Sequence, residues 1–115
     1  MTLHKLQGPY ELTMQQVEHI SSAPCCGVFV LGDIDEHGAL VAKYIGMANK
    51  NIGKRLGDFI DKYPYFKIMR CKKPYDAFEK QCKIYHECSL FSKLDNPMHP
   101  THPEEESWIC PVCGK

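Results

Sequence analysis

Residues 26–47 read CGVFVLGDIDEHGALVAKYIGM, and the reading of this stretch decides the fold. The first part, CGVFVLGDI, is rich in β-branched and aromatic side chains, which suit a pleated, half-buried surface. DEHG is turn chemistry: Asp35 can bond the backbone ahead of it, and Gly38 tolerates positive φ. ALVAKYIGM then has strand composition again. Two strands joined by so short a polar turn predict an antiparallel β-hairpin over residues 27–47.

Outward from the hairpin, the pattern changes from period two to helical spacing. Upstream, LTMQQVEHI carries Leu12, Val17 and Ile20 at helical intervals, with Thr13 as a candidate cap and Ser21-Ser22-Ala23-Pro24 as the stop. Downstream, NKNIGKRLGDFIDKY sets Ile52, Leu56, Phe59 and Ile60 on one helical face, with Gly53 and Gly57 weakening it. PYFKIMRCKK gives a short third strand. PYDAFEKQCKIYHECSLFSKL opens with Pro74 and predicts an amphipathic helix whose core face carries Ala77, Phe78, Ile84, Tyr85 and Cys88. The fold class expected is therefore α+β, a small three-stranded antiparallel sheet flanked by helices. Residues 1–97 form the expected domain, with its core at about 24–97, and residues 98–115 an irregular tail.

Composition sets the outer bounds. The chain has 115 residues, 43% hydrophobic and 24% charged, which suits one ordinary domain with a single core. No apolar run approaches the ~20 residues that span a bilayer. The start, MTLHKLQGPYELT, lacks the basic and apolar regions of a signal peptide, so the expectation is a cytoplasmic protein with no membrane partner. Net charge is zero, yet Lys43 to Lys73 holds nine basic residues against Asp58 and Asp61, a local charge of +7. Such a region can attract phosphate. The plainer alternative is a solvated helix face.

Seven cysteines, an odd number, and a terminal Cys110-Pro-Val-Cys113-Gly point to metal plus free thiols rather than to a disulfide framework. Two thiolates two residues apart can share one zinc ion, and Gly114 lets the backbone turn towards the sulfurs. A redox pair is the rival reading. Tetrahedral zinc needs two further ligands. Cys82 and His86 stand four apart on the last helix, with His99 and His102 in the tail as competitors. The alternative is that Cys82 is a small buried hydrophobe and His86 a surface residue. With Gln81 turned to the sheet, Cys82 and His86 fall on the helix flank. A structural zinc would then clip the tail onto that helix.

The order of elements also carries a set of recognisable words: GVF at 27–29, KYIG at 43–46, Arg55 on the next helix, a further helix bearing carboxylates, and Asn96-Pro97. Over about residues 24–97 the chain resembles the GIY-YIG nuclease superfamily, especially small bacterial members that also end in LDN..HP and a CPVC tail. The resemblance implies a small three-stranded antiparallel sheet flanked by helices and an enzyme, a Mg²⁺- or Mn²⁺-dependent endonuclease acting on DNA. It implies that Tyr44 is the base activating water, that Gly46 lets substrate approach the strand end, and that Arg55 holds the scissile phosphate. Lys43 or Lys54 would supply the cation that favours a phenolate. A phenol at its usual pKa of ~10 needs one. Lys54 is a second candidate for the arginine position, because the Tyr44–Arg55 spacing is one longer than usual.

Three positions depart from the family pattern. Phe29 stands where a tyrosine is usual, Met47 follows the second motif where a basic or polar residue is common, and Gln81 occupies the position of the metal-binding glutamate. An amide oxygen can ligate Mg²⁺ but brings no charge. The implied enzyme is thus weakened or inactive. A non-catalytic nucleic-acid-binding module and a zinc-stapled protein-interaction domain are the alternatives. Nothing in the chain resembles a separate recognition domain, so specificity would come from DNA structure or from a partner protein.

Overall fold

The computed structural model describes residues 6–89 and Leu94. Seven elements follow one another: β1 (Gln7–Glu11), α1 (Met14–Ser21), β2 (Gly27–Ile34), β3 (Leu40–Ala48), α2 (Ile52–Gly57), β4 (Tyr65–Arg70) and α3 (Pro74–Ser89). The strands form one antiparallel sheet in the order β1-β4-β2-β3. The α+β class is as the sequence predicts, but the sheet has four strands rather than three. The added strand, QGPYE, has no apolar alternation and holds both Gly8 and Pro9. It succeeds as an edge strand paired on one side only, where a missing proline N–H interrupts little. Tyr10 anchors it by packing its ring 5.7 Å from that of Phe66.

The hairpin is built from the turn read in the sequence. Asp35 Oδ1 accepts from the backbone N–H groups of His37 (2.8 Å) and Ala39 (3.0 Å), and Gly38 takes φ +80°. These donated bonds favour the ionised carboxylate and lower the Asp35 pKa, led by the bond from Ala39. Strand pairing runs Phe29↔Gly46, Val30↔Ile45, Leu31↔Tyr44, then slips to Gly32↔Ala42. Lys43 is therefore the extra residue of a β-bulge. A Cβ at Gly32 would lie 1.9 Å from the Val41 carbonyl oxygen, so the bulge requires glycine there.

The sheet is covered on both faces. Phe29, Leu31, Phe66 and Ile68 pack with Leu12, Val17, Ile20, Ile52 and Leu56 under α1 and α2. Val28, Val30, Leu40, Ala42 and Ile45 pack with Ile84 and Cys88 of α3 on the other face. α1 and α2 each start at a side-chain cap that leaves fewer unpaired N–H groups. Thr13 Oγ1 accepts from Gln16 N at 3.3 Å, and Asn51 Oδ1 accepts from Lys54 N at 3.4 Å. α2 is shorter than its apolar spacing suggests. It ends at Gly57, and turns carry Phe59, Ile60 and Tyr63 back against the α1/α2 layer. Among the described residues, no helix is long and apolar enough to cross a membrane.

Candidate nucleic-acid interface

The bulge at Lys43 has a direct consequence for Tyr44. In an unbroken strand, residues 40, 42 and 44 would share one face. Here Leu40 and Ala42 join the α3 layer, whereas Tyr44 joins the α1/α2 layer. One inserted residue thus turns the phenol of Tyr44 towards α2, the helix that carries Arg55.

Tyr44 is half-buried in an aromatic group. Its ring centroid lies 5.0 Å from Phe59 and 6.2 Å from Tyr63, and Phe59 lies 6.0 Å from Phe29. Two cations rim this group. The Arg55 guanidinium carbon stands 6.0 Å from the Phe29 ring centroid, and Lys62 Nζ is 5.6 Å from that of Phe59. Arg55 also reaches Asp58 at 3.9 Å, but both side chains are well exposed, so that pair is worth little and can be exchanged for a phosphate. The arrangement is an aromatic floor with cations at its edge, a combination that suits stacked bases and phosphate together. Lys54 is exposed on the same helix, and Lys43 is half-buried in the bulge.

Two of the residues singled out by sequence therefore share one layer, Tyr44 and Arg55. Gly46 belongs with them, in register with Phe29. A Cβ at Gly46 would meet the Phe29 ring at 2.5 Å. The open space above the glycine is filled by the phenylalanine that departs from the family motif. Phe59, Lys62 and Tyr63 are not among the candidate site residues read from the sequence, which places Phe59 on an apolar helix face and Lys62 in the basic stretch.

Gln81 lies elsewhere. It is on the buried stripe of α3 with Ala77, Ile84 and Cys88, only 3% exposed, on the opposite face of the sheet from the Tyr44 layer. Its Nε2 has no hydrogen-bond partner among the described residues. Met47, the third departure, faces the same side and packs on Phe78 and Cys82. Among the described residues, no three His, Cys, Asp or Glu side chains gather around a point that could hold a metal ion. Mg²⁺ or Mn²⁺ needs hard oxygen ligands with charge. A neutral amide buried behind the sheet does not fit that requirement.

The zinc ligands divide in the same way. Cys82 is completely buried beside Phe78 and Met47, so it is less of a flank residue than its helical phase suggests. His86 is half-buried, with its ring edge-on to Tyr85 at 5.5 Å. Cys110, Cys113, His99 and His102 lie outside the described residues. No family model, curated protein or solved structure matches the chain.

Proposed function

We propose that this chain is a GIY-YIG-type DNA endonuclease with an attenuated hydrolytic centre. One observation carries the reading: Tyr44 and the Arg55 helix share the aromatic layer beside the bulge, and Arg55 and Lys62 stand at its rim. Arg55 binds the scissile phosphate through its forked N–H donors, releasing Asp58. Lys62 and Lys54 hold flanking phosphates. The Tyr44 oxygen is the candidate base for the attacking water. The metal ion that the family resemblance implies would supply charge stabilisation at the phosphate, but the described residues do not offer it a set of charged ligands.

A second reading, a non-catalytic nucleic-acid-binding module, is favoured by a specific observation: the side chain at the glutamate position is uncharged and buried. One experiment separates the two. Supercoiled plasmid is incubated with the protein in Mg²⁺ or Mn²⁺, and nicked circles are counted alongside a DNA-binding measurement. Slow nicking that is lost in Tyr44→Phe and Arg55→Ala supports the endonuclease. Binding with no nicking leaves the module. Absence of DNA binding refutes both readings and leaves an interaction domain.

The same proposal includes a structural zinc clipping the tail to α3 through Cys110, Cys113 and His86. The fourth ligand is Cys82, or His99 where Cys82 stays in its apolar pocket. These donors suit tetrahedral zinc. Metal analysis of freshly purified protein should find one zinc per chain, and its absence would refute this part.

A further inference from the structure

The proposed function leaves four thiols unused, and three of them, Cys25, Cys26 and Cys71, lie together at one end of the sheet. Gly27 pairs with Arg70, and Cys71 N donates to Cys26 O at 2.9 Å, so Cys26 and Cys71 are the next cross-strand pair. Directly opposed antiparallel residues have Cα atoms ~4.5–5.5 Å apart and side chains on the same face. That range can be bridged by a disulfide. Both Cys25 Sγ and Cys26 Sγ donate to the Cys71 carbonyl oxygen, at 3.3 and 3.0 Å. Cys26 is buried, while Cys71 is half-buried and lines a surface cleft of about 330 Å³ with Asp76, Glu79, Lys80 and Lys83. A small oxidant can therefore reach Cys71 from solvent, with Cys26 directly behind it.

We propose that Cys26 and Cys71 form a cross-strand disulfide that locks β2 to the end of β4, at the entry to α3. The oxidant is a small-molecule disulfide such as oxidised glutathione. The Cys71 thiolate attacks one glutathione sulfur and releases one glutathione thiolate, giving a mixed disulfide. The Cys26 thiolate attacks the Cys71 sulfur and releases the second. Two protein thiols are oxidised and one glutathione disulfide is reduced; the two protons leaving the protein thiols are taken up by the two released glutathione thiolates, giving two thiols. Burial pushes the Cys71 thiol up to about 11, so the first step speeds up with pH. The groups facing it are Cys25, Cys26, Asp76 and Lys80. The poorly stabilised thiolates also make the bond, once formed, hard to reduce.

The test uses the full chain in oxidised glutathione at mildly alkaline pH, followed by alkylation of remaining thiols and a non-reducing digest read by fragment-ion mass spectrometry. A loss of two hydrogen masses and a peptide pair linked through Cys26 and Cys71, retained in Cys25→Ser, is the expected result. Cys26→Ser and Cys71→Ser should lose the link. Alkylation of both Cys26 and Cys71, a stable glutathione adduct on Cys71, or a link through Cys25 or any other cysteine would overturn the proposal. The outcome is independent of whether the chain binds DNA.

Discussion

Replacing Gln81 with methionine should stabilise the protein. Gln81 is 3% exposed and its amide nitrogen is buried without a hydrogen-bond partner among the described residues. A buried donor in this state costs about 1–3 kcal/mol. Methionine follows the same unbranched path without the donor and adapts well to an irregular gap. Losing whatever bond the amide oxygen makes would take back about 0.5–1.5 kcal/mol, so a net gain of about 1 kcal/mol is expected. For a domain of this size that raises Tm by about 4–8 °C. Gln81→Glu is the matching control. A carboxyl at this depth is held in its neutral form, with its pKa raised by burial. Its folded pKa would then exceed the unfolded value of ~4.3, so stability falls as pH rises above that value. Both variants can be followed by thermal and urea unfolding across a pH series. If Gln81→Met loses about 2 kcal/mol or more while Gln81→Glu is tolerated without pH dependence, the burial argument is wrong. If Mg²⁺ or Mn²⁺ then raises both the Tm and the nicking rate of Gln81→Glu, this residue reaches a metal position after all.

Three further expectations follow from particular contacts. Tyr44→Phe should keep the packing on Phe59 and Tyr63 and change stability by less than about 0.5 kcal/mol, whereas Tyr44→Ala should cost about 2–3 kcal/mol in urea unfolding; equal losses would place the hydroxyl, not the ring, in the structural role. Gly53→Ala should destabilise by about 1–3 kcal/mol despite alanine's better helix propensity, because its Cβ would meet Ser21 Oγ at 2.1 Å and Ser21 N at 2.6 Å where α1 and α2 touch; a rise in Tm would show that the two helices are not so close. The Cys71 thiol, ordinarily at 9.0 and here at about 11, keeps its proton in the folded state at pH values where the unfolded chain releases it. Stability should therefore fall between about pH 9 and 11, and the fall should be shallower in Cys71→Ser. A slope unchanged by that substitution would remove the assignment.

The sequence was most legible where one local signal was enough. Alternating composition and DEHG specified the hairpin, Thr13 specified the start of α1, and Pro74 opened α3 at the position read for it. Less legible were features set by tertiary pairing. QGPYE has nothing strand-like in itself and becomes β1 only because β4 offers an open edge. The bulge at Lys43 cannot be seen in VAKYIG, since it depends on Gly32 in the facing strand, yet it decides which face Tyr44 presents. Gln81, taken as facing the sheet, is buried on α3. Helix phase could not say that α2 and Tyr44 would belong to the opposite layer, because it carries no information about which face of a sheet the helix covers. Cys82 was read as a flank residue by the same counting, and Met47 closes over that flank from the edge strand β3.

The central claim is that the layer holding Tyr44 and Arg55 grips nucleic-acid phosphate. Fluorescence anisotropy of a labelled DNA duplex, titrated with wild type and Arg55→Ala over a range of salt concentrations, tests it most directly. The account predicts salt-sensitive binding by the wild type and a slope of log K against log salt shallower by about 1 in Arg55→Ala, the loss of one phosphate contact. Binding that ignores salt, or a slope that Arg55→Ala leaves unchanged, would contradict it.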